Sequence, residues 1–125
     1  MLVKWLEAGD AGDFEAFDEY LHDDVVVHAP LGLSTTGLAE EKDAWRAALS
    51  AMPDLHHDVK EVIVDGDSTA ARVVVTGTLI EEFAGVRATG RPFVLDQVVF
   101  AHIRAGKAAE VWEVADVGVL LRPTT

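Results

Sequence analysis

The chain has 125 residues, half of them hydrophobic, with no cysteine and a formal charge of −12 from 22 acidic against 10 basic side chains. That length suits one domain with a sizeable core, and the apolar content argues against disorder. So acidic a balance repels nucleic acid and anionic membrane surfaces, and the missing thiols exclude disulfides and thiolate chemistry.

Leu2 to Ala8 is predicted as a short amphipathic helix broken at Gly9, too short for a signal peptide or a membrane span. A soluble cytoplasmic protein is the resulting expectation. Asp13 can cap a second helix with Phe14, Phe17 and Leu21 on one face. Val25 to His28 is a β-branched run ended by Pro30, and a loop rich in Gly, Ser and Thr follows. A third helix is predicted over Leu38 to Ala51, with Leu38, Trp45, Ala48 and Leu49 near one face and a stop before Pro53. Val59 to Val64 and Thr69 to Ile80 read as a hairpin turned by Asp65-Gly66-Asp67-Ser68. After a loop over Phe83 to Gly90, strands Phe93 to Arg104 and Glu110 to Asp116 are joined by an Ala105-Gly106 turn. Helices first and antiparallel strands afterwards indicate the α+β class, and no linker or repeat divides residues 1–125.

Pairing Arg104 with Lys107 sets a register for the last hairpin. One face then carries Leu95, Gln97, Val99, Ala101 and Ile103, joined by Trp112, Val114 and Asp116. This face is nearly all apolar and is expected to point inward. Asp116 lies about one cross-strand step from Gln97 on it. A carboxylate aimed into an apolar interior must be hydrogen-bonded, protonated or useful, which makes Asp116 the leading functional candidate. The opposite face is expected to carry Val94, Val98, Phe100 and Val111. That apolar patch is wet in a lone monomer, so a homodimer is expected.

The ordered series His28-Ala29-Pro30, Met52-Pro53-Asp54-Leu55, Asp65-Gly66-Asp67, Val75-Thr76-Gly77-Thr78, the loop Glu82 to Arg91, and Glu110-Val-Trp112-Glu-Val-Ala-Asp116 resembles the SnoaL-like polyketide cyclase family, within the nuclear transport factor 2-like superfold. The resemblance spans nearly the whole chain. It implies a cone-shaped α+β fold, with three N-terminal helices packed on a curved, mostly antiparallel sheet around a deep apolar pocket. It further implies cofactor-independent acid/base chemistry on a hydrophobic small molecule, with intramolecular aldol cyclisation as the first reading. Asp116 matches the family's general acid/base. The position before the tryptophan, often His in the family, is Val111 here. Isomerases, dehydratases and epoxide hydrolases share the superfold; the Arg-x-Asp pair of the last group is missing from Leu95, Gln97 and Val99. A non-catalytic binding protein is the rival from another class.

The catalytic candidates are therefore Asp116 as acid/base, with Gln97 and His28 placing a substrate oxygen. Trp45, Phe83, Trp112 and Val99 are expected pocket walls, and Tyr20 faces either the pocket or solvent. His56 and His57, adjacent on a strand, point to opposite faces and form no metal motif with a spaced carboxylate. No dinucleotide fingerprint or Gly-x-Ser-x-Gly occurs, so neither metal nor organic cofactor is expected.

Overall fold

In a computed structural model, which describes residues 1–121, the chain runs α1 (Leu2–Asp10), a 3-10 turn (Phe14–Ala16), α2 (Phe17–Tyr20), β1 (Leu21–His28), β2 (Thr35–Thr36), α3 (Leu38–Ala51), β3 (His56–Asp65), β4 (Ser68–Thr78), β5 (Pro92–Arg104), β6 (Lys107–Ala115) and α4 (Gly118–Leu121). The strands form one curved, unclosed sheet in the order β2-β1-β6-β5-β4-β3. Its pairs are antiparallel apart from β1 with β6. This is the α+β arrangement expected from the order of periodic segments. No helix among the described residues is long and apolar enough to cross a membrane.

The second helix is shorter than its apolar spacing suggests. Leu21 is already extended, and burying it in β1 outweighs continuing the helical face. Both hairpin turns form where expected. Ala105 and Gly106 take φ of 49° and 80°, the left-handed pair that matches the twist of a two-residue hairpin.

The helices cover the concave face. Trp5, Phe17 and Trp45 meet edge to face at centroid separations of 5.8 to 6.3 Å, a geometry favoured by the ring quadrupoles. Gly9 makes this possible, because a Cβ there would lie 2.4 Å from Trp45 Cζ3.

The last hairpin departs from the expected register. Arg104 does pair with Lys107 and Ile103 with Ala108, but His102 pairs with Glu110. Ala109 is the extra residue of a β-bulge, and beyond it every side chain of β6 changes face. Val111 points inward and is fully buried, not outward as the unbulged register required. Glu113 and Ala115 follow it onto the concave side, while Trp112 and Val114 turn outward. The physical gain is the packing of Val111 and Ala108 into the core, with neither leaving measurable exposure.

The outer apolar patch therefore consists of Val94, Val98, Phe100 and Val114, all exposed, together with Trp112 and without Val111.

Candidate active site

Between α3, the concave face of β4 to β6, and the loop carrying Phe83 and Val86 lies a cavity of about 150 Å³. Its walls are mostly aliphatic and aromatic. Among the described residues, Glu41, His57, Gln97 and Glu113 bring side chains that can titrate or hydrogen-bond to it, beside the indole N–H of Trp45.

Glu113 reaches the cavity because the bulge places it opposite Val99 on the inward side of β6. Gln97, opposite Ala115, is its diagonal neighbour, and Gln97 Nε2 donates to Glu113 Oε2 at 3.3 Å. Gln97 is 8 % exposed, and its Oε1 is buried without a partner among the described residues. With one weak hydrogen bond and an apolar surround, burial pushes the Glu113 carboxyl up to about 8, and the charge of Glu41 adds to the rise. At neutral pH Glu113 is therefore mostly a protonated acid.

Glu41 enters from α3. Leu38, Glu41 and Trp45 fall on one helical face by their three- and four-residue spacing. Only 3 % exposed, Glu41 accepts hydrogen bonds from Thr35 Oγ1 at 2.8 Å and Trp45 Nε1 at 3.1 Å. Burial raises its pKa despite the lowering effect of both bonds.

His57 lies at the start of β3, with its ring 5.2 Å from that of Trp45. Asp10, the last residue of α1, holds it twice: Oδ2 accepts the His57 backbone N–H at 2.6 Å, and Oδ1 lies 2.7 Å from Nδ1.

Among the expected wall residues, Trp45 and Phe83 line the cavity, as does Gln97. Val99 is fully buried beside them but does not reach the cavity surface, and Tyr20 packs partly buried against the core outside it. Three other placements need correction. Trp112 is on the outer face because of the bulge. His28 is also outside: Val25 and Val27 of β1 point inward and are fully buried, so the alternation turns His28 to solvent. There it stacks on Trp112 at 5.2 Å and pairs with Glu110 at 2.7 Å. Asp116 lies just past the end of β6, exposed, with its backbone N–H bonded to Asp96 O. The inward orientation expected for it belongs to Glu113.

The sequence carried a signal for Glu41, a carboxylate set within an apolar helical stripe. It carried none for Asp10 with His57, which are 47 residues apart.

The family model described as SnoaL-like polyketide cyclase matches residues 1–123. The chain belongs to the SnoaL-like polyketide cyclase family. Solved structures similar to this SnoaL-like chain include IdmH from Streptomyces antibioticus, a proposed polyketide cyclase, at 28% identity and a TM-score of 0.82 over 96% of this chain and 92% of that one. TsrD from Streptomyces laurentii is similar at 26% identity and a TM-score of 0.85, covering 95% and 87% of the two chains. AclR from Streptomyces galilaeus, a proposed hydroxylase, is similar at 27% identity and a TM-score of 0.79, covering 96% and 89%. A search of curated proteins returned no match. The curved sheet over three N-terminal helical segments is thus the nuclear transport factor 2-like fold shared by SnoaL-like cyclases, and a small-molecule enzyme is what the family suggests.

Proposed function

We propose that this SnoaL-like protein is a cofactor-independent acid/base enzyme acting on a hydrophobic, polyketide-like small molecule, with intramolecular aldol cyclisation as its reaction. The observation that carries this reading is Glu113: a carboxyl on a largely apolar cavity, kept neutral at physiological pH by burial and by the second cavity carboxyl, Glu41. A neutral carboxylic acid can give its proton to an oxygen that becomes negative, as the acceptor carbonyl does when an enolate carbon attacks it. Gln97 orients Glu113 through its Nε2. The acid role expected for Asp116 is thus proposed for Glu113.

The test is ring closure of a linear keto-aldehyde that forms a five-membered carbocycle, followed across pH. The kcat/KM value is expected to fall as pH rises through about 8, where Glu113 loses its proton. A rate indifferent to pH between 7 and about 9.5 would remove Glu113 from the chemistry. Glu41→Gln gives a second check. The amide can still accept from one neighbour and donate to the other, while its charge is gone. Glu113 should then ionise more readily, and the alkaline limb should move to lower pH. An unmoved limb would mean that the two carboxyls are not coupled.

We also propose that two copies pair through the outer sheet face of Val94, Val98, Phe100, Trp112 and Val114, whose exposure supports it. Phe100→Glu should convert a dimer mass in light scattering to a monomer mass. A wild-type protein that is monomeric throughout the micromolar range would dismiss the interface.

A further inference from the structure

His28 faces solvent, yet the cavity does hold a histidine. His57 has a side chain only 7 % exposed and stands on the cavity wall, and its partner Asp10 is 13 % exposed. Asp10 closes α1, at the negative end of the helix dipole, with no basic residue in the last turn to offset it. Its two oxygens are instead spent on the backbone N–H and Nδ1 of His57. A carboxylate can only accept, so Nδ1 carries the proton in the neutral ring, and Nε2 keeps its lone pair. Among the described residues no hydrogen bond engages Nε2. Docking α1 onto β3 would need only the Nδ1 end of the ring. The Nε2 end is left without a partner among the described residues, on a ring that lines the cavity.

We propose that His57 is the general base of this pocket, held in its tautomer by Asp10, and that it removes the proton beside a ketone while Glu113 serves the oxygen. The proposal rests on the acid role of Glu113 given above. The α C–H electrons form the enolate, and its proton goes to His57 Nε2. The enolate carbon bonds to the acceptor carbonyl carbon, whose π pair moves to oxygen, and that oxygen takes the Glu113 proton. The product is a neutral β-hydroxy ketone. The imidazolium proton returns to Glu113 through water, so the cycle closes without a co-reactant. The substrate class follows: an apolar molecule with an enolisable ketone at the His57 end and a second carbonyl at the Glu113 end. Asp10 is a positioning residue. The other titratable groups around His57 are His56, whose Nδ1 lies 3.7 Å from Asp10 Oδ2, and Glu41 and Glu113 on the cavity wall.

The probe is acetophenone, a one-ring ketone on the scale of the cavity, with α-hydrogen exchange into D₂O followed by NMR. Wild-type protein should accelerate exchange over solvent, with an acidic limb in its pH profile. His57→Asn keeps an amide N–H for Asp10 but is too short to present a base. It should lower the rate about a hundredfold or more and abolish the acidic limb, with an unchanged melting temperature. A wild-type protein that does not accelerate exchange, or a His57→Asn protein that keeps the rate and the acidic limb, would overturn the proposal. Nitrogen NMR of the substrate-free wild-type imidazole tests the tautomer independently of whether the variant folds. Protonation at Nδ1 in the neutral ring supports it, and a proton on Nε2 sinks it. His57-dependent exchange of acetophenone alongside a keto-aldehyde ring closure that shows no alkaline limb would leave His57 as the base and remove Glu113 alone.

Discussion

Glu113→Gln is expected to lower turnover of the keto-aldehyde by about two to four orders of magnitude while the protein stays folded. The amide has the shape of the protonated acid and can still meet Gln97, but it has no proton to exchange. The same substitution should change stability in a pH-dependent way. Glu113 has a folded-state pKa raised to about 8, well above its unfolded value. Between those two values the native state binds more protons than the unfolded state, so stability falls as pH rises. The loss begins above the unfolded pKa near 4.5 and is complete once pH exceeds the folded value. Glutamine does not titrate. The variant should match wild type near pH 5 and exceed it by on the order of 2 kcal/mol near pH 9, allowing for the access to water that the cavity gives. Chemical denaturation at both pH values measures this. Equal stability differences at both would show that Glu113 is not desolvated. Asp116→Asn is the comparison: exposed and outside the cavity, it should leave both turnover and the pH profile near wild type. A loss of turnover there equal to that of Glu113→Gln would return the acid role to the position matched by resemblance.

The largest expected change in stability from adding a single methyl group is at Gly9. In an exposed helix, Gly to Ala gains about 1 kcal/mol through helix propensity. Here the new methyl would stand 2.4 to 2.6 Å from three ring atoms of Trp45, a contact that real Cβ atoms do not make. Trp45 cannot simply yield, because it packs on Trp5 and Phe17, donates to Glu41 and lies against His57. Overpacking of this kind costs about 1–3 kcal/mol and occasionally more, so strain should win over propensity. A net destabilisation of about 2 kcal/mol is expected, read as a lower denaturation midpoint with an unchanged slope. Because Trp45 links the core to the cavity, the pH profile should shift as well. A Gly9→Ala protein more stable than wild type would mean that the aromatic cluster is loosely packed.

Elements with strong local signals were legible in the sequence. The α3 stripe, the Asp65-Gly66 and Ala105-Gly106 turns and the order of helices before strands determine the class and most of the topology, because each depends on residues near one another in the chain. The inward position of Gln97 and the wall position of Trp45 follow from the same periodicity, whereas Phe83 lies in a loop that has none. The identity of the acid was settled elsewhere, by one bulge. Ala108 and Ala109 have small, similar side chains, and alternation alone cannot show where an extra residue enters. Trp112, Val114 and Asp116 therefore made as good an inward set as Val111, Glu113 and Ala115. Tertiary packing decided between them: the core beneath β6 takes Val111, and the outer face offers Trp112 the rings of His28 and Phe100. The pairing of Asp10 with His57 was equally invisible, since contact between the end of α1 and the start of β3 exists only once the helix lies across the sheet. What the sequence alone determined were most of the elements and their order; a pocket of apolar character came with the family resemblance. Which carboxyl and which histidine face that pocket was decided by register and by long-range packing, where a shift of one residue exchanges the two sides of a strand.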